Sequence, residues 1–112
     1  MKAVSISNYG SSSVLKFGEN VETPTPTSTQ VLVKVKATSV NPIDVMKREG
    51  YGRTIFEKQR SFRFPWILGS DVSGVVERVG SKVTKFYEGQ EIWGCTSGAS
   101  QGTYSEYAVF FE

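Results

Sequence analysis

The sequence predicts a mainly β fold, a small irregular barrel with one short helix over about residues 42–48. Three observations carry this. Turn-forming residues punctuate the 112-residue chain densely, with 11 glycines and 4 prolines. β-Branched runs recur between them, at residues 31–37 and 68–79. Helical periodicity is convincing only once.

The elements follow in order. Residues 2–6 and 14–17 read as short strands. Pro24 and Pro26 alternate with Thr and Ser over residues 23–29, and proline cannot donate to a central ladder, so this stretch reads as an extended crossing. In the strand at 31–37, Val31, Val33, Val35 and Ala37 face one way and Leu32, Lys34 and Lys36 the other. Asn41 suits a helix N-cap, Pro42 the first helical position, and Asp44 the first turn; Gly50 ends the helix. Residues 51–65 read as a long loop. A strand is expected over 68–79, with Ser73-Gly74 as a bulge or a close backbone approach. Glu88-Gly89-Gln90 turns the chain into a strand at 91–94, and 103–111 is the last strand.

Composition closes much of the functional menu. The chain has no histidine and a single cysteine, Cys95. That excludes an intrachain disulfide, a Cys/His zinc site from this chain alone and a Ser-His-Asp triad. Cys95 is expected to be a small buried residue. A net charge of +2 is too small to imply a nucleic-acid partner. The loop at 51–65 does interleave Arg53, Lys58, Arg60 and Arg63 with Tyr51, Phe56, Phe62 and Phe64. Glu57 breaks that run, so a lid over a hydrophobic substrate, or a contact with another domain, is the better expectation. No apolar run approaches the ~18 residues of a membrane span. Met1 leads directly into a strand, with no targeting segment visible, so a cytoplasmic or mitochondrial setting is expected.

The central motif is Gly69-Ser70-Asp71-Val72-Ser73-Gly74-Val75-Val76, continued to Gly80 and Val83. With it come Ala37-Thr38-Ser39-Val40-Asn41-Pro42-Ile43-Asp44, Phe64-Pro65-Trp66-Ile67-Leu68, Gly89-Gln90-Glu91-Ile92-Trp93 and Gly102-Thr103-Tyr104-Ser105-Glu106-Tyr107. In order and spacing these resemble the N-terminal GroES-like domain of the medium-chain dehydrogenase/reductase superfamily, and within it the zinc-lacking quinone oxidoreductase branch. The resemblance implies that residues 1–112 are the GroES-like substrate-side and catalytic domain of a longer chain. It also implies a Rossmann nucleotide-binding domain, whose glycine-rich βα turn does not occur among these residues.

The same resemblance implies a chemistry and a set of site residues. Zinc members carry a Cys ligand where Asn41 stands, a proton-relay hydroxyl where Ile43 stands and a His ligand at Ser70, so no metal is expected here. The branch resembled transfers hydride from NADPH to quinones or related enones, which need little Lewis-acid help. Asn41 and Tyr51 become the candidate catalytic residues, Asn41 near the nicotinamide and the carbonyl, Tyr51 at the pocket mouth. Pro42, Asp44, Met46, Ser70 and Asp71 are expected along the cleft, with Asp44 stabilising the helix start rather than acting as a base. Branch members often carry a Tyr where Met46 stands. The implied partner is a small hydrophobic quinone or enone, with no nucleic acid and no membrane span; the full-length protein is expected to be a homodimer and the isolated domain inactive. The alternative is a non-catalytic binding or assembly module on the same barrel.

Overall fold

The computed structural model describes residues 1–96 and 98–112. In chain order the strands are β1 (Ala3–Ile6), β2 (Lys16–Gly18), β3 (Gln30–Ala37), β4 (Trp66–Ile67), β5 (Asp71–Val79), β6 (Glu91–Cys95) and β7 (Tyr107–Phe111). Helices α1 (Pro42–Glu49) and α2 (Arg53–Phe56) lie between β3 and β4. The strands form two antiparallel sheets, ordered β2-β1-β4 and β6-β5-β3-β7.

Strand alternation builds one core under the larger sheet. Val31, Val33 and Val72 are buried there, with Val35, Val79, Val83, Phe86, Ile92 and Phe110 packed around them. The other core gathers Ile6, Trp66, Leu68 and Ala99 beneath Tyr9, Phe56, Phe62 and Tyr104. Residues 104–106 join the two sheets. Val4 N–H donates to the Tyr104 carbonyl at 2.8 Å and Glu106 N–H to the Lys2 carbonyl at 3.1 Å. On its other side the Glu106 carbonyl accepts from Val35 N–H at 2.8 Å. The mainly β architecture expected from sequence is thus the one observed, with the strands in two sheets.

Local differences have local causes. Val14 closes a 3-10 turn at Ser12–Val14, and the strand starts only at Lys16. The loop at 51–65 contains the single helical turn α2. The strand expected over 68–79 is split: β4 ends at Ile67, and Gly69 turns the chain with φ 100° before β5 begins. A Cβ at Gly69 would lie 2.5 Å from Thr103 Oγ1 and 2.6 Å from the Tyr104 ring, so only glycine fits. Ser73-Gly74 does make the close approach expected of it. The β3–β5 register shifts between Val35 and Ala37, and a Cβ on Gly74 would collide with the Lys34 carbonyl. The last strand begins at Tyr107, because 103–106 crosses between sheets. Cys95 is exposed rather than buried. It lies on edge strand β6 and shares the outward side with Glu91 and Trp93, where Trp93 is 88% exposed.

Candidate active site

The site is organised by the start of α1. Asn41 holds the N-cap in extended backbone (φ −115°, ψ 161°), Pro42 presets the first helical φ, and Gly50 stops the helix with φ 95°. Asp44 closes a capping box: its Oδ2 accepts from Asn41 N–H at 2.9 Å. That carboxylate is only 2% exposed, and its Oδ1 accepts from Ser70 Oγ at 2.8 Å. One buried carboxylate therefore clamps the helix start to the turn before β5.

A second carboxylate gathers the rim. Asp71 Oδ2 accepts from Asn41 Nδ2 at 2.7 Å and from Ser39 Oγ at 2.7 Å, while Asn41 Nδ2 also faces Ser39 Oγ at 3.4 Å. The Asn41 bond first, and the Ser39 bond second, hold the Asp71 carboxyl below the usual carboxylate range by favouring its charged form. Thr38 Oγ1 donates to the Asp71 carbonyl at 2.7 Å and lies 2.8 Å from Thr103 Oγ1, fixing the segment that carries Ser39.

Helix α1 is inverted in polarity. It buries Asp44 and Lys47 and leaves Ile43 and Met46, one turn apart, 42% and 39% exposed. Lys47 is buried because its tip has partners. Nζ donates to the Gly98 carbonyl at 3.0 Å and sits 5.2 Å and 5.8 Å from the Phe56 and Trp66 ring centres. Burial pushes its pKa down, and the Asp44 charge opposes that shift. The Tyr104 hydroxyl is buried against the same region without a partner at hydrogen-bonding geometry. Burial first, then the nearby Asp44 carboxylate, push its pKa up to about 12.

The structure brings Asn41, Asp44, Ser70 and Asp71 into one hydrogen-bonded network. Pro42, Met46 and Tyr51 stand outside it on the exposed side of the helix and the turn that follows. Tyr51 is 72% exposed, and among the described residues no side-chain hydrogen bond or ring contact holds it. The loop aromatics are differently placed. Phe62 packs edge-on to Trp66 at 5.3 Å, Phe56 lies 5.9 Å from Trp66, and Phe64 bridges Phe62 and Tyr9. They pin the loop to the core. An open groove of about 630 Å³ begins beside Ser39 and Val40 and runs along Val35, Ala37, Tyr104 and Ser105.

Ser39 and Lys47 are the site residues that sequence reasoning missed. Ser39 was legible as the residue two before Asn41, which shares its side in extended chain. Lys47 was legible only as an ion partner three residues after Asp44. Neither zinc-ligand position fits zinc: Asn41 offers a carboxamide, and the Ser70 hydroxyl is already directed onto Asp44. Among the described residues, no three His, Cys, Asp or Glu side chains are gathered into one group.

Residues 27–112 match the alcohol dehydrogenase GroES-like domain family. The chain is 42% identical to the mitochondrial NAD(P)H oxidoreductase RTN4IP1 of Bos taurus, over 97% of this chain and 30% of that protein. It is 38% identical to the quinone oxidoreductase of Lama guanicoe, over 97% of this chain and 31% of that one. A solved quinone oxidoreductase from Coxiella burnetii superposes with a TM-score of 0.85 at 34% identity, covering 99% of this chain and 34% of that chain. The chain thus spans about a third of the length of these relatives. It belongs to the alcohol dehydrogenase GroES-like domain family of the medium-chain dehydrogenase/reductase superfamily.

Proposed function

We propose that this chain is the substrate-side domain of an NADPH-dependent, zinc-independent oxidoreductase that transfers hydride to quinones or related enones. One observation carries the reading. The two positions at which zinc members hold their metal carry Asn41 and Ser70, each hydrogen-bonded to a carboxylate, beside a helix that turns Ile43 and Met46 outward. A polar edge next to an apolar strip suits a flat, electron-poor ring. Relatives named as quinone and NAD(P)H oxidoreductases support the same assignment.

In this reading the chain supplies orientation, a dry wall and a hydrogen. Val40, Ile43 and Met46 cover the ring faces and exclude water. Asn41 contacts the polar edge of the cofactor or substrate. Tyr51, with its phenol free, donates to the oxygen on which negative charge develops. A bound reduced nicotinamide nucleotide supplies the hydride. Val40, Ile43 and Asn41 would meet its nicotinamide end, and a nucleotide-binding domain outside these residues would hold the rest. The setting is cytoplasmic or mitochondrial, and the Bos taurus relative is named as mitochondrial.

The test is NADPH oxidation by the full reading frame against a panel of quinones and enones. Turnover that survives a strong chelator is expected. Tyr51→Phe is expected to lower kcat/KM about 10²-fold, the usual effect of removing one oxyanion donor. A protein that oxidises NADPH with no member of the panel, or only with added zinc, sinks the reading; the barrel would then be a binding or assembly module.

A further inference from the structure

The direction of each hydrogen at the cleft decides what the cleft can offer a ligand. Asn41 Nδ2 has two hydrogens, one directed to Asp71 Oδ2 at 2.7 Å and one facing Ser39 Oγ at 3.4 Å. The single Ser39 hydroxyl hydrogen goes to the same Asp71 oxygen at 2.7 Å. The Ser70 hydrogen goes to Asp44 Oδ1 at 2.8 Å, and Thr38 Oγ1 donates to the Asp71 carbonyl at 2.7 Å. The bonds to carboxylates are charge-assisted and stronger than neutral ones. An ionised carboxylate only accepts, so the NH₂ end of Asn41 must face Asp71, which turns Oδ1 towards the helix start. That carbonyl oxygen has two lone pairs. The capping box uses one of them, because the Asn41 side chain accepts from Asp44 N–H, and the other remains for a ligand.

The polar capacity left on this edge is therefore acceptor capacity, on Asn41 Oδ1 and on Asp71. Ser39 is exposed, Asn41 and Asp71 are half-buried, and the groove opens beside Ser39 and Val40. We infer that Asn41, Ser39 and Asp71 form an acceptor site, which binds the N–H or O–H hydrogens of a ligand and gives none to a developing oxyanion. Two groups in the proposed reaction carry such hydrogens: the primary carboxamide of a nicotinamide nucleotide and the hydroxyl of a hydroquinone product. The inference rests on the reductase reading. It makes Asn41 a residue of ligand orientation and leaves oxyanion stabilisation to a donor such as Tyr51.

The test uses the full-length protein and binding measurements without turnover. One arm compares the Kd of NADP⁺ with that of its 3-acetylpyridine analogue, which lacks the carboxamide N–H. The other compares a hydroquinone with its methyl ether as inhibitors. The inference expects the ligand with hydrogens to bind about tenfold more tightly in one arm, which identifies the source. That preference should vanish in Asn41→Ala and shrink in Ser39→Ala, an exposed position where folding is not at stake. Equal binding in both arms overturns it, as does a preference that survives Asn41→Ala. If turnover is intact while both preferences are absent, the inference alone falls. If neither nucleotide nor hydroquinone binds, the reductase reading falls and takes the inference with it.

Discussion

Asp44 and Asp71 stand on either side of one asparagine and act differently because their surroundings differ. Asp44, almost wholly buried, is a clamp between helix and turn. Asp71 is only half-buried and owes its depressed pKa first to the Asn41 carboxamide. Asn41→Ala is therefore expected to return the Asp71 pKa towards the usual carboxylate value, read by carboxyl-detected NMR titration. An unmoved titration would assign the depression to another source. Its stabilising effect is present above the ordinary Asp pKa and is lost as pH falls through the lowered one. Tyr104 has the opposite sign. Its phenol keeps its proton to about 12 when folded, against 10.0 for an unburied tyrosine, so stability falls as pH rises between those values. Tyr104→Phe should lessen that alkaline loss, leaving the part that Tyr9 carries. Because the hydroxyl is buried unpaired, the same change is expected to raise stability at neutral pH by about 1 kcal/mol, measured by urea unfolding. A loss of that size instead would mean that the phenol donates to Asp44. Asn41, Asp44, Ser70 and Asp71 were legible in sequence because each sits in a motif with fixed spacing. Ser39 and Lys47 carried only weak local signals, since the partners that fix them, Asp71 and Gly98, lie far along the chain.

Among the elements, α1 was the most legible and the segment after it the least. Asn41, Pro42, Asp44 and Gly50 are local signals, and the helix runs where they place it, Pro42–Glu49. The turn α2 has no such caps, and Phe56 near its end packs against Trp66, a tertiary contact that periodicity does not carry. The exposure of Cys95 departs from expectation for a related reason. Residue type suggests an interior, but topology puts β6 at a sheet edge. Strand β5 depends on one small residue. Gly74→Ala would drive a methyl group into the Lys34 carbonyl across the β3–β5 pair, and a loss of about 3 kcal/mol is expected in denaturant unfolding. A loss below about 1 kcal/mol would show that the ladder can part there at little cost.

For the molecule as a whole, the outward apolar side of α1 separates stability from function. Ile43→Lys and Met46→Lys change residues that are already substantially exposed, so the 112-residue domain should keep its unfolding free energy within about 0.5 kcal/mol. In the full-length protein the pair is expected to lower quinone turnover, because that strip is assigned to the substrate. Unchanged turnover would move the substrate to another face. The mainly β class was readable from turn spacing, whereas the way the sheets join was not. The segment 104–106 bonds β1 on one side and β3 on the other, and nothing in its composition announces two partners. That arrangement also sets a schedule for synthesis. The first strand leaves the ribosome early, yet Lys2 N–H finds the Glu106 carboxylate 104 positions later. At about 5–20 residues per second, the nascent amino-terminal strand waits roughly 5–20 s for that edge. Until β4 covers Ser5 and Ile6, and until residues 104–106 then cover the rest, that side is open to chaperones and to any wrong strand that reaches it first.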